Sequence, residues 1–220
     1  MKRIEQVLWV FIVIVVGLGL FWAFTNPQYF TEGFNREDGF VEYATVWMLL
    51  ACAGVMFWIW RRAKLGWRFT MVSWVIILAT IFVAGEEISW GQRLFKLETT
   101  EYFKENNDQQ ELNLHNLKIG DIKINKLIFG VGLTVALILY MIVLPLTYTR
   151  WQWLSKLVDS WGVPVPQIRH GIAYLLSLVA ISSLSASKNW ELLELVTVTI
   201  FLMALLIPQN HKLYHQSNSL

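Results

Sequence analysis

Residues 43–85 read YATVWMLLACAGVMFWIW, then RRAKLGWR, then FTMVSWVIILATIFVAG. Two charge-free blocks of membrane length flank one short basic turn. A span needs about 20 mostly apolar residues, so this stretch predicts a transmembrane helical hairpin with Arg61, Arg62, Lys64 and Arg68 at its connection.

The same pattern extends in both directions. Residues 7–24 (VLWVFIVIVVGLGLFWAF) and 127–149 carry no charge, and two weaker blocks follow near 171–187 and 195–210. The expectation is an all-α integral membrane bundle of six transmembrane helices, at about 7–24, 43–60, 69–87, 127–149, 171–187 and 191–208. No block alternates polar and apolar residues, which excludes an outer-membrane barrel. The first block follows Met1-Lys2-Arg3 but is too long for a signal-peptide core and lacks a small-x-small cleavage site, so it reads as a retained anchor.

Composition agrees. Of 220 residues, 55% are hydrophobic and 15% charged, against about 25% charged in soluble domains. This disfavours a soluble enzyme and excludes a basic nucleic-acid-binding protein. Cys52 has no second cysteine to pair with. Lys and Arg counted loop by loop orient the chain. With the N-terminus in the cytoplasm, the inner segments hold ten basic and two acidic residues, and the outer segments eight basic and fourteen acidic. Both termini are therefore expected in the cytoplasm, and the localisation expected is a bacterial cytoplasmic membrane. A polar outer segment, 88–126, joins the third and fourth helices.

The chemistry is expected on the acidic outer side. Asp38 and Glu42 stand four apart at the entry of the second span. They read either as N-terminal capping, since acidic groups favour that end of a helix, or as a pair of oxygen ligands. Glu86 and Glu87 close the third span in Gly85-Glu86-Glu87-Ile88-Ser89-Trp90-Gly91-Gln92-Arg93. Two adjacent carboxylates there oppose the helix dipole and lie near the hydrocarbon boundary, so they require a proton, a metal ion or a cation such as Arg93. If the helix continues, Glu86 and Arg93 share a face. Glu111 and His115 have i,i+4 spacing, which on a helix presents a carboxylate and an imidazole to one point. The alternation of Leu112 and Leu114 with Asn113 and His115 allows an extended strand as well. Glu191 and Glu194 open the last span, and Glu194 is expected to face the bundle interior.

Together these residues predict an outer cluster. Its catalytic members are Glu86, Glu87, Arg93 and His115. Its metal ligands are Asp38, Glu42, Glu111 and His115, holding one divalent ion of Zn, Mn or Fe. The run Gly85 to Arg93, followed by Glu111-Leu112-Asn113-Leu114-His115-Asn116, resembles an uncharacterised family of small multipass bacterial membrane proteins, a resemblance that brings no activity with it. The paired glutamates also invite comparison with CAAX-type intramembrane proteases. Arg93 stands six residues after Glu87 rather than four, and Phe-x-x-x-His is absent, so no catalytic role carries over.

The function expected is an outward-facing membrane-embedded hydrolase or transferase acting on a lipid, a lipid-linked glycan or a membrane peptide. Its partners would be the bilayer and an envelope substrate on the outer side. The alternatives are a cation- or proton-coupled transporter or its accessory subunit, and a structural component of an envelope complex. The segment 150–168 reads as an amphipathic interfacial helix ending before Pro164, with Arg150 and Lys156 suited to an anionic inner leaflet.

Overall fold

The computed structural model describes residues 2–107, 109–114, 116–119, 122–123 and 130–215. His115 lies outside them. In hydrocarbon every backbone N–H and C=O needs an internal partner, which long apolar runs satisfy by becoming helices. Seven principal helices form: α1 (Lys2–Thr25), α2 (Phe40–Ala63), α3 (Trp67–Glu87), α4 (Gly130–Tyr148), α5 (Gln152–Trp161), α6 (Ile168–Ser182) and α7 (Asn189–Leu206). Five of them, α1, α2, α3, α4 and α7, are long and apolar enough to cross a membrane. Apart from short helical turns, the remaining regular structure among the described residues is a two-residue antiparallel ladder, Lys118–Ile119 with Ile122–Lys123.

α7 is the axis of the bundle. Leu192, Leu195, Ile200, Met203 and Leu205 along it are fully buried. It packs against α1, α2 and α6, and α2 packs along α3 as the predicted hairpin. The hairpin turns at Lys64, whose left-handed backbone (φ 44°) ends α2. α3 is 21 residues long, about 31 Å at 1.5 Å per residue, which matches a hydrocarbon core of about 30 Å. The antiparallel pairing therefore brings the start of α2 and the end of α3 to one end of the bundle. The first turns of α7 lie at that end too.

Close crossings use small residues, as membrane helices do. A Cβ on Gly171 of α6 would collide with the Met141 carbonyl of α4, and one on Gly19 of α1 with the Leu192 side chain. α4 is the least buried of the five long helices. It carries a π-helical stretch at Leu139–Val143, two residues before Pro145, which has no N–H to donate.

The end of the fifth expected span shifts, and the end of the amphipathic helix falls before Pro164 as expected. The fifth span was expected to reach 187, but α6 ends at Ser182. There the hydroxyls of Ser182 and Ser183 bond back to the Leu178 and Val179 carbonyls, and the chain turns at Leu184. α6 is thus 15 residues long, about 22 Å. The amphipathic helix ends at Gly162, whose φ of 64° supplies a left-handed stop two residues before Pro164.

Candidate functional site

α3 ends at Glu87, and the chain then makes a turn that few sequences can make. Ser89, Trp90 and Gly91 follow one another in the left-handed region, with φ of 47°, 54° and 77°. For residues other than glycine this costs about 1–2 kcal/mol each, so packing must hold it. The turn folds the Trp90 ring back onto Gly85, where a Cβ would not fit. The indole Nε1 then donates to Glu86 Oε1 at 2.7 Å, and the Leu114 amide donates to Glu86 Oε2 at 2.6 Å. Glu86 is 2% exposed, with both oxygens occupied.

Because the helix stops, Arg93 does not share a face with Glu86. Instead it gathers three carboxylates. Its Nη2 meets Glu42 at 2.6 Å, its Nη1 meets Glu111 at 2.8 Å, and its Nε faces Asp38 at 3.1 Å. Burial works against the Arg93 charge, but Glu111, Glu42 and Asp38 outweigh it and raise the guanidinium's pKa. Glu42 sits in the first turn of α2 and its Oε2 accepts from the Asp38 amide at 2.8 Å. No side chain caps α2 at its N-cap Gly39, and Asp38 precedes the helix with φ 53°.

Glu111 lies in an irregular segment, and residues 111–114 are not helical. Its carboxylate also accepts from Ser89 Oγ and from Asn113 Nδ2 at 2.9 Å. Asn113, 1% exposed, donates to Ser89 as well and accepts from Asn107. Gln92 completes the set: its amide bonds Thr99 Oγ1 and accepts from the Leu112 amide, both at 2.6 Å. The result is a tight polar knot joining the start of α2, the end of α3 and residues 89–116.

Glu87 stands outside this knot. Neighbouring residues in sequence point to different places, and Glu87 turns toward α7. One oxygen each from Glu87, Glu191 and Glu194 lie within 4.8 Å of one another. Glu87 and Glu191 are half-buried, and Glu194 is exposed. Glu194 thus faces Glu87 of α3 while keeping accessible surface. No hydrogen bond or ion pair is made by these three among the described residues. The nearby cations are committed elsewhere: Lys188 Nζ pairs with Glu37 at 3.0 Å, and Arg93 with its three partners.

The structure thus divides the expected cluster in two. Asp38, Glu42, Arg93 and Glu111 form an ion-paired scaffold, and Glu86 serves the turn. Glu87 joins Glu191 and Glu194 in a second group, unpaired among the described residues. The i,i+3 spacing of Glu191 and Glu194 marks one helical face, and this was the signal available for joining both to the site. The bonds of Ser89, Gln92 and Asn113 carry no signature in a single sequence. Comparison with family models, with curated proteins and with solved structures found no match.

Proposed function

We propose that the chain is an outward-facing enzyme of a bacterial cytoplasmic membrane, a hydrolase or transferase acting on a lipid, a lipid-linked glycan or a membrane-anchored peptide. The reading takes α6 as a sixth span that returns through α7, with both termini in the cytoplasm and the carboxylates at the outer interface. One observation carries it. In the run from Gly85 to Arg93, Glu86, Ser89, Trp90, Gln92 and Arg93 each have a structural partner, and Glu87 has none among the described residues. An unsatisfied carboxylate at the membrane boundary is costly and is retained where it works.

In this reading Glu87 is the general base. It takes the proton from a water or an acceptor hydroxyl as that oxygen attacks the acyl or phosphoryl centre, and returns it to the leaving oxygen. The Arg93 scaffold positions it. Arg93 is held among three carboxylates, so it is assigned to positioning and not to stabilising the transition state. If a divalent ion takes part, Glu87, Glu191 and Glu194 are the residues to hold it, and an all-carboxylate set suits Mg or Mn more than Zn. His115, which lies outside the described residues, keeps its expected role as a metal ligand or proton shuttle. A coupled transporter would place its ionisable groups near the bilayer midplane, whereas these occupy helix ends.

The test is complementation of a deletion strain. Glu87→Gln and His115→Ala should insert and fold as wild type yet fail to complement. Wild-type complementation by Glu87→Gln would sink the enzyme reading. Elemental analysis of purified protein then separates the two versions: about one divalent ion per chain, lost in Glu87→Gln, supports the metal form, and none leaves the acid–base form.

A further inference from the structure

At the opposite end of α3 from Glu87, an apolar groove of about 360 Å³ opens on the side of the bundle. Met71, Val72, Val75 and Ile76 of α3 form one wall, with Phe201 of α7 and Trp161 of α5 opposite. The Tyr140 hydroxyl in the lining is already committed, donating to the Pro164 carbonyl at 2.8 Å. Apart from the Trp161 indole, the rest of the lining is aliphatic, thioether and phenyl surface.

Arg68 stands at its mouth. The guanidinium lies 5.6 Å from the ring centre of Trp67 and 5.6 Å from that of Trp161, which itself lines the groove. Arg68, Met71, Val72 and Val75 fall at i, i+3, i+4 and i+7, one stripe of the helix. The stripe thus passes from a held cation to continuous apolar surface over about 10 Å. Arg68 is exposed and makes no ion pair among the described residues. The nearest acidic residue in sequence to Trp161, Asp159, is occupied by the Tyr148 hydroxyl at 3.0 Å and by Asn210 Nδ2 at 3.0 Å. α3 begins at this same place with no side-chain cap on its first N–H groups, a second attraction for an anion.

The geometry points to a binding site for one anionic phospholipid, with an acyl chain in the groove and the phosphate on Arg68. The two rings fix the guanidinium, so little order is lost when it pairs. The apolar stripe directly below it requires a ligand with a tail, which excludes inorganic phosphate as the natural guest. The lipid belongs to the leaflet opposite the Glu87 group, because α3 separates them by about 28 Å. The site is independent of the enzymatic reading and needs only that α3 crosses the bilayer.

The experiment is native mass spectrometry of the purified protein in detergent, titrated with phosphatidylglycerol and with phosphatidylcholine of identical chains. Phosphatidylglycerol should bind about fivefold tighter or more, the preference expected for one basic residue near a membrane surface. Arg68→Gln should bring the two affinities within about twofold, and Val75→Trp should weaken both about tenfold by filling the groove. Arg68→Gln replaces an exposed side chain, and its helix content and elution volume check the fold. Glycerol phosphate, which has the headgroup charge and no tail, should not compete. Equal affinities in the wild type, an unchanged preference in Arg68→Gln, or competition by glycerol phosphate would each overturn the assignment.

Discussion

Replacing Arg93 by Gln removes the one cation shared by three carboxylates, and the size of the effect follows from their surroundings. The Asp38 side chain is 47% exposed, so its pair contributes about 0–1 kcal/mol. Glu42 and Glu111 are only 8% and 13% exposed. Removing one partner of a buried pair costs about 3–5 kcal/mol, because a charge is left uncompensated. Both carboxylates keep other donors, the Asp38 amide for Glu42, and Ser89 and Asn113 for Glu111. The lower end, about 3 kcal/mol, is therefore expected, which is more than a hundredfold in the unfolding equilibrium. Arg93→Lys should recover less than half, since one ammonium cannot present a fork to three carboxylates. Unfolding followed by circular dichroism during titration of mixed micelles with dodecyl sulfate measures the loss. Adding Glu42→Gln to Arg93→Gln should restore about 1 kcal/mol or more, because it removes the most buried orphan charge. A single variant within 0.5 kcal/mol of wild type would refute the view that Arg93 holds this end together.

Glu86→Gln should destabilise by about 1–3 kcal/mol, because its amide would face the donors Trp90 Nε1 or Leu114 N. The neighbouring Glu87→Gln should leave the melting temperature unchanged while complementation is lost, so the two variants separate folding from activity. Asn113→Leu should cost about 2–3 kcal/mol by stripping donors from Ser89 and Glu111, read in the same micelle titration. Gly171→Ala should lower stability by about 1–3 kcal/mol by forcing α6 off the Met141 carbonyl. Gly54→Ala, where a Cβ meets nothing within 4 Å, is its control.

The helical spans were legible because burying a backbone in hydrocarbon leaves a long, charge-free signature. Its limit shows at α6, where Ser182 and Ser183 look like tolerable span residues yet end the helix through their own hydroxyls. The acidic convergence was also legible, since Asp38, Glu42, Glu86, Glu87 and Glu111 flank the helix ends that a hairpin brings together. What composition could not reveal was the division within it. That depends on the left-handed turn at Ser89 and Trp90, a backbone state those residue types rarely announce. The turn reverses the Trp90 ring onto Glu86 and frees Glu87 for α7. Trp90 itself is a hydrogen-bond donor inside the polar knot.

Arg93 reaches Glu42 across 51 residues and Glu111 across 18. Those spans give the contact a meaning during biogenesis. Apolar helices in lipid slide and rotate against one another at low cost, because lipid tails are as apolar as their own surfaces. A slip of α2 by one residue turns Glu42 by about 100° around its axis and carries it off the guanidinium. Arg93 therefore acts as a gauge of register, satisfied only when the α2–α3 hairpin has settled at one depth and one rotation and the following segment has closed over it. Sequences that preserve every apolar residue but shift this hairpin by a single position would insert into the membrane and still fail to mature.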